Sequence, residues 1–242
     1  RRGLGVFLLG NAVGQALPAS LGGDAVRVWL THEEGVDTER ATRSVVIDLL
    51  AGFASLCLMM LAASPVLYFG LATREITVAV STSALVGLAV FASLLAAGGV
   101  RRGARAAPVR FLLTVSRDAR SLLFQPRHAA VTLGLSFVFQ STQVTAIYAL
   151  ARGLHVPLGL LSAFVLVPAV LLAMTLPLSI GGWGIREIGL VSMLGVTGVS
   201  AESATVIAVI FGLLNVAVAL LGGALGLVLR GASTPLRSEK AP

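Results

Sequence analysis

Two pairs of opposite charge stand beside paired glycines: Asp24 and Arg27 after Gly22-Gly23, and Arg186-Glu187 after Gly181-Gly182. The chemistry they offer is anion recognition, because a guanidinium presents a planar fork of donors that matches a phosphate or carboxylate. The acid beside each arginine can pair with it in the absence of a ligand, or answer a cationic head group in its presence. Both pairs belong to one repeated phrase. "LPASLGGDAVR" (17–27) returns as "LPLSIGGWGIR" (176–186), with Leu, Pro, Ser, Gly, Gly and Arg in matching places. Ser20 corresponds to Ser179, Gly22 to Gly181 and Gly23 to Gly182, while Trp183 stands where the first copy has Asp24 and Gly184 follows it. The two copies are therefore not chemically equal.

Proline removes a backbone donor and clashes with the preceding helical turn, and paired glycines open backbone angles closed to other residues. Each copy thus predicts a helix end, a tight turn and a new helix start. At such a start the first amides are unpaired and the helix dipole is positive, which suits a phosphate. A plainer reading stays open for each copy, in which the acid caps a helix and the arginine snorkels to an interface.

The elements that carry these residues are set by composition. The 242 residues are 56% hydrophobic and 12% charged, with a mean hydropathy of +0.93, too apolar for a water-soluble domain. Runs of roughly 20 apolar residues cross a bilayer as helices, and residues 44–70, 76–97, 129–150, 158–180 and 203–229 qualify. Residues 3–16 and 188–199 do not, since the latter reach only about 18 Å as a helix. Each copy of the phrase sits beside one of these short pieces. The fold class expected is all-α: a polytopic transmembrane bundle with two Gly-rich broken or re-entrant motifs forming an internal repeat, within a membrane domain over 1–230 followed by a cytoplasmic tail, 231–242. Non-helical backbone at membrane depth is tolerated where it lines a polar cavity, and paired interruptions in two halves of a chain point to a transport site.

The net charge of +7 is concentrated rather than spread among aromatics, so it reads as topology and not as nucleic-acid binding. Residues 101–127 hold seven arginines and one acid, Asp118, which marks a cytoplasmic segment. Within it, residues 109–124 alternate at helical period, Leu112, Val115, Ala119 and Leu122 opposing Arg110, Thr114, Arg117 and Ser121. That pattern fits a helix lying on an anionic leaflet. Parity and the basic tail then place the C-terminus in the cytoplasm. A start at Arg1-Arg2 is expected of a piece of a longer protein. A lone cysteine, Cys57, permits no intramolecular disulfide.

"LPASLGGDAVR" and "LPLSIGGWGIRE" resemble the two signatures of the lysylphosphatidylglycerol synthase transmembrane region family, also called flippase-like integral membrane proteins. "FLLGNAVGQALPASLGGDAVRVWL", "ATRSVVIDLLAG" and "LPLSIGGWGIREIGL" carry the resemblance over nearly the whole chain. It departs at Asp48-Leu49, where the family pattern has an acid followed by arginine. The resemblance implies a multi-pass protein of a bacterial or archaeal plasma membrane that moves lipids between leaflets, with membrane lipids, above all anionic phospholipids or lipid-linked head groups, as partners. A lipid-modifying enzyme is a further partner it allows. With no stretch left for an aminoacyl-transferring domain, the chain is not expected to synthesise the lipid itself.

Other polar residues fall within apolar runs, where ionisable groups are functional candidates. Asp48 is the clearest. Gln140 and Gln143 share one face of another run and fit either a head-group path or helix-to-helix hydrogen bonding. His32, His128 and His155 lie apart, and the sequence has no HExxH, GxSxG, Walker A or CxxC pattern, so neither a metal nor a cofactor is expected. Three functions stay open: a lipid translocator; a membrane enzyme using Asp24, Glu187 and Asp48 as acid or base; and a non-catalytic partner of a lipid-modifying enzyme. The first is expected, with no catalysis and with the two phrases as two halves of one site.

Overall fold

A computed structural model describes residues 2–16, 21–71, 74–97, 107–123, 125–175 and 182–231. The described residues are helical throughout apart from turns and loops, with no strand among them. The helices are α1 (Arg2–Ala16), α2 (Leu21–Glu33), α3 (Thr38–Val66), α4 (Arg74–Ala97), α5 (Ala107–Leu123), α6 (Pro126–Gly153), α7 (Leu160–Met174), α8 (Ile185–Gly195) and α9 (Ala201–Gly231), with one π-helical turn, Leu67–Leu71, after α3.

Among the described residues, four stretches are long and apolar enough to cross a membrane: Thr38–Phe69, Arg74–Ala97, Arg127–Gly153 and Ala201–Arg230. They coincide with four of the five expected spans. The fifth, 158–180, is described as the 15-residue α7, with 176–180 outside the described residues. Its burial explains its apolar character in another way: Ala163, Val165, Leu166, Val167, Pro168, Val170 and Leu171 are all buried. The long spans instead turn leucines and valines outward, among them Val78, Val86, Leu135, Val138, Leu221 and Val228, which suits hydrocarbon as the surrounding solvent.

Helix α3 ends in a way its sequence dictates. Pro65 brings no N–H to the carbonyl four residues back, Leu61, and Ser64 Oγ donates to that carbonyl at 2.7 Å. A side chain thus replaces the missing backbone donor.

The described residues group into two compact units. One lies within Arg1–Val45, Pro177–Trp183 and Gly212–Pro242, and the other within Val46–Leu176 and Gly184–Phe211. The first is built on small residues. A Cβ added to Gly23 of α2 would stand 2.5 Å from the Gly10 carbonyl oxygen and 2.8 Å from Gly14 Cα of α1. On α9, a Cβ on Gly226 would meet the Gly5 oxygen at 2.9 Å and one on Gly223 the Ala12 Cβ at 2.6 Å. Backbones approach this closely only where side chains are absent, the means by which helices associate in lipid. The second unit has a continuous apolar core in which Leu56, Val144, Ile147, Val167, Leu190, Ile207 and Phe211 meet. Here α8 packs on α7, and a Cβ on Gly189 would come within 2.8 Å of Val170 Cγ1.

Candidate functional site

The first phrase begins outside the described residues, Ser20 included. From Leu21 it is helix, so Gly22 and Gly23 lie in the first turn of α2. Asp24 and Arg27 are three residues apart on this helix and share a face. Arg27 Nη1 donates to Asp24 Oδ1 at 3.2 Å, and both side chains are largely buried. The Arg27 stem crosses Gly10, where a Cβ would collide with its Cγ. Its guanidinium ends 5.2 Å from the centre of the Phe7 ring, a cation–π distance. Three features of the first unit therefore seat one arginine: a carboxylate, an aromatic face and a side-chain-free stretch of helix.

The second phrase takes another backbone course. Ser179 and Gly181 lie outside the described residues. Gly182 and Gly184 have φ of +80° and +86°, a region L side chains avoid, and α8 starts only at Ile185. Where the first copy has its second glycine inside a helix, the second copy has a left-handed turn. The expected likeness of the two copies thus holds for their residues and not for their backbones. Gly23 is needed for close approach to α1, whereas at Gly184, which matches Ala25 of the first copy, a Cβ would touch nothing within 4 Å, so only its backbone angles call for glycine.

Arg186, in the first turn of α8, is 2% exposed and is the largest fully buried side chain described. Glu187 holds it. Arg186 Nη2 donates to Glu187 Oε1 at 2.7 Å and Nε to the same oxygen at 3.1 Å. The other oxygen, Oε2, accepts from the Gly184 N–H, so one carboxylate both caps the helix and neutralises the buried cation. Glycine at the cap has no side chain to return the favour, and Glu187 does the capping alone.

The remaining candidates separate. Asp48 is exposed on α3, within a spanning stretch. Gln140 and Gln143 are half-buried on α6, and Gln140 Nε2 lies 3.9 Å from where a Gly52 Cβ would stand, one turn along α3 from Asp48. Ser141 Oγ, beside them, is buried with no hydrogen-bond partner. Asp24 and Arg27 belong to the first unit, and Asp48, Gln140, Gln143, Gly184, Arg186 and Glu187 to the second.

Sequence reasoning missed Phe7, Gly10 and Gly14. A signal was present: "GNAVG" (10–14) is a small-xxx-small spacing, as is "GGALG" (222–226). Phe7, one turn before Gly10 on α1, had none, because its partner Arg27 lies on another helix.

The family model described as the lysylphosphatidylglycerol synthase TM region matches residues 1–223. No curated protein and no solved structure matches the chain.

Proposed function

The chain belongs to the lysylphosphatidylglycerol synthase TM region family, and from that premise we propose that it is a non-catalytic lipid translocator, moving a phospholipid or lipid-linked head group between the leaflets of a plasma membrane. The observation that carries this reading is the Arg186–Glu187 pair: a buried guanidinium on a helix of 11 residues, too short to cross the membrane, in a chain whose described residues include four stretches long and apolar enough to cross it. An ionised pair in such surroundings is expensive and is kept where a charged solute passes.

The exchange it permits is simple. A lipid phosphate reaching Arg186 takes the place of the Glu187 carboxylate, so one charge-assisted pair gives way to another and the guanidinium is never left uncompensated. Arg27 has the same option against Asp24. In each case the released acid stands next to the bound head group and favours one that also carries positive charge. The phrases act as broken or re-entrant arms repeated in the chain, with the C-terminus cytoplasmic, and a lipid-modifying enzyme is the natural supplier of the lipid. Leaflet exchange of head-group-labelled lipids in proteoliposomes tests the proposal, with loss of exchange expected in Arg186→Ala.

A further inference from the structure

Helix α5 joins two spanning helices and packs against both α4 and α6. Its sequence is amphipathic, and the helix does not leave its apolar face to lipid alone. Val115, Ser116 and Ala119 are buried. Ser116 Oγ donates to the Leu94 carbonyl and lies 3.4 Å from that of Leu95, both in the last turn of α4, where carbonyls lack partners within their own helix. The contact therefore docks α5 on the end of a helix long and apolar enough to cross a membrane.

The opposite face is the stripe Arg110, Thr114, Arg117 and Ser121, spaced at four, seven and eleven residues. Arg110, Arg117 and Arg120 are all exposed. Away from the stripe, Val109, on the side of Arg120, and Leu112, on the side of Ser116 and Ala119, are 45% and 48% exposed. Each guanidinium has five donors, so a contact within the protein does not exhaust it.

We propose that α5 is a docked recognition helix for anionic lipid head groups at the membrane surface, separate from the arginines of the two phrases. Charge complementarity selects the occupant: three exposed arginines on a helix that also exposes Val109 and Leu112 match a negatively charged leaflet. Because the buried face is fixed by Ser116, the arginines are held in register, and lipid recognition proceeds without folding the helix.

The test uses the full chain in neutral detergent, with Cys57→Ala and an environment-sensitive fluorophore on Leu112→Cys, titrated with dispersed phosphatidylglycerol or phosphatidylcholine. Phosphatidylglycerol should give the response at lower concentration. Arg110→Gln, Arg117→Gln and Arg120→Gln together should raise its midpoint roughly a hundredfold, and each alone about fivefold. The three Arg→Lys changes should keep the preference, Arg74→Gln at the exposed start of α4 should leave it intact, and added salt should weaken it. Equal midpoints for the two lipids, a triple Gln variant that responds as the parent does, or a response indifferent to salt would overturn the proposal. The salt series on the parent decides the matter if the triple variant fails to fold.

Discussion

Glu187 divides its carboxylate between two tasks: Oε1 accepts from the buried guanidinium of Arg186, and Oε2 accepts from the N–H of Gly184 at the start of α8. The acid is placed for both by being the third residue of its helix, the position from which a carboxylate reaches back to the cap. Removing its charge leaves Arg186 buried beside a neutral group. Glu187→Gln should therefore lower stability by about 3–5 kcal/mol, seen as a fall in the thermal midpoint. The double change Arg186→Gln, Glu187→Gln should regain part of the loss, and additive losses would show that the two residues are not coupled.

The turn into α8 predicts a smaller effect of another origin. Gly184→Ala meets no neighbour but must adopt φ +86° with ψ −58°, at a cost of roughly 1–3 kcal/mol. Thermal unfolding in detergent measures this.

In the first unit space decides, not backbone angle. Gly23→Ala would force α2 away from Gly10 and Gly14 of α1, so it should destabilise clearly. Gly3→Ala meets nothing within 4 Å and should be neutral or stabilising by up to about 1 kcal/mol from helix propensity. Equal midpoints for the two variants would contradict the packing described for α1 and α2.

Phe7 and Asp24 hold Arg27 in the unliganded chain. Weakening that hold should help a phosphate draw the arginine away. Phe7→Leu removes a contact worth roughly 0.5–1 kcal/mol, so it should tighten binding of a short-chain phosphatidylglycerol up to about fivefold. Phe7→Tyr should leave binding unchanged. The binding is followed by Trp29 fluorescence in Trp183→Phe. Weaker binding in Phe7→Leu would mean that Phe7 belongs to the liganded site instead.

The sequence carries much of this and conceals the rest for definable reasons. Length of apolar run revealed the four spans, because hydrocarbon thickness leaves little choice. For 158–180 the described part is α7, whose buried residues show that an interior helix is as apolar as one facing lipid. Spacing along one helix foretold the Asp24–Arg27 contact, and adjacency the Arg186–Glu187 pair. By contrast, the seat of Arg27 on Phe7 and Gly10 joins two helices, and no local period reports it. The differing backbones at Gly23, in a helix, and Gly182, in a turn, are hidden because identical residues allow either conformation. The helical period of α5 was legible, but Ser116 gave no sign that it would cap α4.

The central claim is that the arginines of the repeated phrase handle a lipid head group. The most direct measurement is leaflet exchange of head-group-labelled anionic and zwitterionic lipids in proteoliposomes holding the native chain, Arg27→Ala or Arg186→Ala, each verified as folded. The account predicts exchange faster than in empty vesicles, selective for head group, and lost in both variants. Exchange no faster than in empty vesicles, or undiminished in both variants, would contradict it.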